Sequence, residues 1–245
     1  MSKQDQSGKP GMPPKHPLLL IPAFGCDERL YRPLLPNLGA FLPVQTSVFA
    51  APRYAQMADM ALATMPGPFI VLGTSMGGRV ALEVTLAAPD RVKGLVIIGA
   101  GAGATADPVA GMRRATRIAG GEQDQVIREM SEIVAHLPGP RGQATRDAFY
   151  DMGSKMDRQA LAMQAEALAH RIDLWPRLKE ITCPVLCLWG VHDQFVPAED
   201  GRRIAETVNN GRYVELQQCG HFPSLEYPAE TAAAISGWLR DNELS

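Results

Sequence analysis

The sequence predicts an α/β fold: a mostly parallel sheet of about six strands with helices on both faces, plus an inserted helical segment. Three observations predict it. Short apolar runs without polar alternation recur at 17–22 (PLLLIP), 68–73 (PFIVLG), 92–99 (VKGLVIIG) and 184–190 (PVLCLWG), and such runs suit strands buried on both faces. Segments with apolar residues at helical spacing alternate with them, which is the rhythm of a parallel sheet. Between 104 and 178 that rhythm stops, and only helical patterns appear.

The elements follow in order. Residues 1–16 are polar and proline-bearing, and are expected to form a flexible tail. The run 17–22 is the first strand, and 44–50 is a weaker strand candidate. Met57, Met60, Ala61 and Met65 share helical spacing, so 54–65 should be a helix. After the strand at 68–73, Val80, Ala81, Val84 and Ala87 mark a helix over 80–88, and 92–99 is the next strand. Helices are expected near 108–119, 123–137, 145–156 and 158–172. Strands then return at 184–190 and 212–216, with helices at 198–208 and 228–239. The expected organisation is a tail (1–16), a core in two pieces (17–103 and 179–245) and a helical insertion (104–178).

Composition excludes several classes. With 24 Lys+Arg against 26 Asp+Glu the net charge is -2, which disfavours binding driven by nucleic-acid phosphates or an anionic membrane. No apolar run approaches the roughly 18 residues of a membrane span, and the first sixteen residues hold no apolar segment of a secretory signal. The four cysteines, Cys26, Cys183, Cys187 and Cys219, form no CxxC pair. A zinc or redox site is therefore not expected, and the thiols fit a reducing cytoplasm.

Gly73-Thr74-Ser75-Met76-Gly77-Gly78 lies between the PFIVL strand and the helix that follows. A serine on such a turn is held strained with its Oγ clear of the sheet, which makes Ser75 the candidate nucleophile. The bland alternative is a glycine-rich phosphate loop, but no Lys follows as in GxxxxGK and no GxGxxG is present. A serine hydroxyl needs a base held by a third group. Asp193 closes the PVLCLWG strand, and His221 follows the strand that ends near Leu216. All three fall at carboxyl ends of strands, where open parallel sheets carry their sites. His16, His136, His170 and His192 fit less well, and Asp200 is the rival acid. The developing oxyanion needs donors: the Met76 amide at the helix N-terminus, and an amide of the loop after PLLLIP, for which Phe24 is favoured.

On these residues the chain resembles the α/β-hydrolase superfamily, over about 17–245. LLLIPAFGCDERLYRPLLPNL, GTSMGGRVALEVTLAAPDRVKGLVIIG, CPVLCLWGVHDQFVPAEDGRRIA and CGHFPSLEYPAETAAAISGWL are similar to segments of small bacterial serine-triad hydrolases. The resemblance implies that Ser75, Asp193 and His221 are a triad, Phe24 and Met76 the oxyanion donors, and 104–178 a lid. Ser75 sets the chain apart from the members with an Asp nucleophile, and the HGGPG loop of proline iminopeptidases is absent. Pro22-Ala23 stands where the usual loop has His-Gly.

The implied function is hydrolysis of a small or medium carboxylic ester, with no metal or organic cofactor. The same triad also serves lactonases, thioesterases, C–C hydrolases and acyltransferases, and a non-enzymatic ligand binder is a more distant alternative. Met112, Met130, Met152, Met156 and Met163 lie in the insertion. Flexible thioether side chains suit an adaptable apolar pocket, so some of these are expected to face Ser75, in a lid without fixed charge.

Overall fold

A computed structural model of the chain describes residues 16–38 and 44–244. The expected tail lies outside the described residues except for His16. Six strands make one sheet in the order β2-β1-β3-β4-β5-β6: β1 (Leu18–Ile21), β2 (Val44–Thr46), β3 (Phe69–Thr74), β4 (Val92–Ile98), β5 (Val185–Gly190) and β6 (Gly211–Leu216). Every pairing is parallel. Leu18 pairs with both Val44 and Ile70, and Val185 with Leu95 and Gly211.

The apolar runs explain which strands are central. β1, β3 and β5 are buried at every residue, as expected of strands covered by helices on both faces. β2 and β6 are the edges, and both are more open. Helices α1 (Tyr54–Thr64), α2 (Met76–Ala87), α3 (Pro108–Arg117), α4 (Gln123–Ser131), α5 (Gly142–Lys155), α6 (Arg158–Ala169), α7 (Ala198–Thr207), α8 (Pro223–Glu226) and α9 (Pro228–Asp241) complete the chain. On α9, Ala232, Ile235, Trp238 and Leu239 are buried, which is one face at a spacing of three to four.

The insertion between β4 and β5 is α-helical through α3–α6, with a turn at Ile118–Glu122 kinked at Gly121 (φ 103). Arg79 of α2 fastens both its ends to the core. Its guanidinium donates to the carbonyls of Ala102 (2.9 Å) and Ile172 (2.7 Å), and it pairs with Glu83 at 3.3 Å. The side chain is almost fully buried, and that desolvation holds its pKa below the usual guanidinium value. Bonds to three carbonyls, Gly103 O at 3.2 Å being the third, and to a carboxylate are what make such burial tolerable. Among the described residues no helix is long and apolar enough to cross a membrane.

Candidate active site

The turn from β3 into α2 is shaped by backbone crowding. A Cβ on Gly73 would stand 2.1 Å from the Gly77 carbonyl oxygen, and one on Gly77 would stand 2.0 Å from that of Ile21. Only residues without side chains let strand and helix approach this closely. Ser75, between them, has φ 54 and ψ -116, a conformation costly for a residue with a Cβ. Its amide donates to Ile98 O at 2.8 Å, and the preceding Thr74 hydroxyl meets the Tyr31 hydroxyl at 2.9 Å. Tyr31 also donates to Ile21 O at 2.8 Å. The strained turn is thereby tied to β1 and β4.

Asp193 and His221 come together from separate loops. His221 Nδ1 lies 2.7 Å from Asp193 Oδ2, and both side chains are almost completely buried. The other oxygen, Asp193 Oδ1, accepts from the amides of Phe195 (2.8 Å) and Val196 (3.0 Å). Gly99, at φ +57, passes so near that a Cβ there would sit 3.0 Å from Asp193 Oδ2. The His221 ring is tilted against Phe195 and Phe222, with centroids 4.8 and 5.2 Å away.

Ser75 and His221 line one cavity of ≈ 290 Å³, together with Phe24. No hydrogen bond joins the two side chains in this structure. Phe24 lies in the loop after β1, and its amide makes no hydrogen bond among the described residues. Met76 is the first residue of α2, where an amide has no carbonyl one turn earlier to meet. The loop is held from the insertion: the fully buried Gln164 of α6 accepts from Gly25 N at 3.1 Å and donates to Phe49 O at 2.9 Å.

The rival residues are elsewhere. Asp200 lies on α7 against Gly101, and its carboxyl is held above the usual carboxylate range by desolvation. His192 stacks on His136 at 3.9 Å, and His170 meets Arg53 at 2.8 Å. No cluster of three or more His, Cys, Asp or Glu that could hold a metal occurs among the described residues.

The expected apolar lid is corrected in two respects. Of the five insertion methionines only Met130 lines the cavity; Met152 is packed into the core, Met156 lines a different cavity and Met112 is exposed. Three charged side chains of the insertion, Asp107, Arg114 and Arg171, line it as well. Glu226 was also not foreseen. It is a buried carboxylate whose oxygens accept from the amides of His136, Gly220 and Phe222 at 3.0, 2.9 and 3.2 Å. An acidic residue five positions after the histidine of a strand-end loop was the available signal for it.

Comparison with known proteins agrees with this architecture. A 2-hydroxy-6-oxononadienedioate/2-hydroxy-6-oxononatrienedioate hydrolase of Dechloromonas aromatica (strain RCB) is 28% identical over 167 residues, covering 64% of this chain and 57% of that protein. The hydrolase of that name in Escherichia coli (strain K12) is 29% identical over 164 residues, with the same coverage. The chain thus spans just over half the length of the curated relatives it matches. Among solved structures, a thermophilic esterase from Thermogutta terrifontis superposes with a TM-score of 0.85 at 23% identity, covering 94% of this chain and 91% of that one. The enol-lactonase from Burkholderia xenovorans LB400 gives 0.78 at 20% identity, covering 92% of each chain. At these identities the likeness is one of fold. A profile of the alpha/beta hydrolase family matches residues 14–234. That match takes in all six strands, the turn at Ser75 and the loops of Asp193 and His221, and the chain belongs to the alpha/beta hydrolase family.

Proposed function

We propose that this chain is a serine hydrolase that cleaves a small or medium carboxylic ester, with Ser75, Asp193 and His221 as its triad and 104–178 as its lid. The observation that carries the reading is the strained Ser75 in the same cavity as His221, whose Nδ1 is held by Asp193 at 2.7 Å. Asp193 fixes the imidazole so that Nε2 is free to accept the Ser75 proton as Oγ attacks the carbonyl. The oxyanion that forms is held by the amides of Phe24 and Met76, aided by the positive end of the α2 dipole. The imidazolium returns the proton to the leaving alcohol. Water, deprotonated by His221, then releases the acid from Ser75.

A second reading is favoured by the curated relatives, which are named as hydrolases of 2-hydroxy-6-oxo dienedioates. The same residues would then cut a carbon–carbon bond beside a ketone, with the proton delivered to carbon in place of oxygen.

The test is covalent labelling by a fluorophosphonate, located by peptide mass analysis, together with hydrolysis of 4-nitrophenyl butyrate. Ser75 is expected to carry the label, and Ser75→Ala to lose label and turnover by about 10⁴-fold or more. Turnover that survives Ser75→Ala removes the reading. Hydrolysis of the dienedioate with no action on esters replaces it with the second.

A further inference from the structure

Arg114 lies in the last turn of α3, and Arg171 follows α6 by two residues. The two elements touch at Gly111 and Ala169, where a Cβ on Gly111 would lie 2.7 Å from that of Ala169. This close crossing brings two guanidinium groups, far apart in the chain, to the cavity that holds Ser75 and His221.

Neither has a partner for its charge. Arg117, Arg128, Arg146 and Arg177, also in the insertion, each meet a carboxylate. Among the described residues Arg114 and Arg171 form no ion pair. Three carboxylates bear on them, and each is committed or apart. Glu129 gives both its oxygens to Arg117 at 2.8 Å. Asp107 lines the cavity, but its Oδ1 caps α3 through the amide of Ala110 at 2.8 Å. Asp200 makes no ion pair with Arg171. The one hydrogen bond of Arg171 is a long contact with Ala104 O at 3.5 Å, and its Nε is buried with no partner. Arg171 and Ser75 also line a smaller adjoining cavity of ≈ 20 Å³ with Tyr54, whose buried hydroxyl is likewise unpartnered.

The site therefore holds an excess of donors and of positive charge beside the reacting serine. Two half-buried guanidinium groups without a carboxylate partner are costly until an anion meets them, and a planar carboxylate matches the guanidinium fork. We propose that Arg114 and Arg171 form a carboxylate subsite, so that the substrate carries an ionised carboxyl group in addition to the carbonyl that is attacked. The proposal rests on the reading of Ser75 as the nucleophile. It deepens that reading by naming the substrate class as half-esters, or other monoacyl compounds, of dicarboxylic acids.

The test measures binding apart from turnover. Calorimetry on the Ser75→Ala protein compares monomethyl adipate, which is an anion at neutral pH, with dimethyl adipate, which is neutral. The half-ester is expected to bind at least about tenfold more tightly. That preference should disappear in Ser75→Ala proteins that also carry Arg114→Gln and Arg171→Gln, made singly and together. Equal affinity for the two esters, or a preference that survives both substitutions, overturns the subsite. Circular dichroism identifies any variant that fails to fold, and the comparison on Ser75→Ala alone already decides the sign. In wild type, fluorophosphonate labelling of Ser75 is read separately. Labelling without preference for the half-ester defeats the subsite and leaves the nucleophile standing; preference without labelling does the reverse.

Discussion

Glu226 Oε2 accepts a hydrogen bond from the amide of Gly220 at 2.9 Å, one residue before His221. The same carboxylate takes the amides of Phe222, on the other side of His221, and of His136 in the insertion. In return His221 N donates to Val134 O at 3.0 Å. The histidine loop and the insertion are therefore joined through one buried carboxylate. Glu226→Gln keeps the shape but faces an NH₂ towards backbone donors, leaving at least one unsatisfied. We expect a loss of about 2 kcal/mol in stability, and a kcat reduced by about 10–100-fold through misplacement of the imidazole. Thermal unfolding and steady-state kinetics check it. A variant with wild-type kcat would show that the loop keeps its place without the carboxylate.

The acid can be assigned by a pair of substitutions. Asp193 Oδ1 is pinned by two amides, so Asn at 193 must keep its oxygen there and turn its NH₂ toward His221 Nδ1. That arrangement stabilises the tautomer with the proton on Nε2, which cannot act as a base. Asp193→Asn should lower kcat by about 10⁴-fold. Asp200→Asn should leave kcat within about threefold, since Asp200 makes no bond to His221. The reverse order would transfer the acid role to Asp200.

How far the sequence was legible depended on whether a residue's role is local. Strands β3, β4 and β5 were readable because continuous apolar runs are their whole requirement. Ser75 was readable because its turn is built from neighbours in sequence. Helix ends were missed where backbone groups serve distant partners. The helix expected over 123–137 stops at Ser131, and the Val134 carbonyl and His136 amide beyond it bind the His221 loop. The helix expected over 158–172 stops at Ala169, and the Arg171 carbonyl accepts from Thr105 N at 3.1 Å. In the other direction, α2 begins at Met76 in place of 80 because Gly77 and Gly78, poor helix formers, hide its first turn. The charges in the cavity were invisible for the same reason as the helix ends. Periodicity assigns a residue to a face of its own helix, but the crossing of α3 and α6 decides what that face meets.

The four thiols should be unreactive in the folded protein. All are buried, and desolvation pushes Cys183 up to about 11 and raises Cys26, Cys187 and Cys219 as well. A raised pKa leaves little thiolate below it, about 0.1% at pH 8 for a thiol near 11. Ellman's reagent at pH 8 should therefore titrate none of the four in the native state and all of them in denaturant, with native reactivity rising as pH approaches 11. Rapid native reaction of any one at pH 8 would contradict its burial.

Gln164 links the insertion to the loop of Phe24, the proposed oxyanion donor. It is fully buried on α6, and its two bonds reach Gly25, next to Phe24, and the Phe49 carbonyl. Gly25 itself has φ +68, a left-handed conformation that glycine adopts without strain. Gln164→Leu is close in size but leaves the Gly25 amide and the Phe49 carbonyl without partners, a cost of about 2–4 kcal/mol if water cannot enter. Should the fold survive, the Phe24 amide loses its reference point while Ser75, Asp193 and His221 keep theirs. The expected signature is a kcat lowered by about 10–100-fold, near the range for loss of a single oxyanion donor, with KM changed by less than about threefold. A rise in KM at unchanged kcat would place Gln164 in substrate binding and leave the Phe24 amide independent of the insertion.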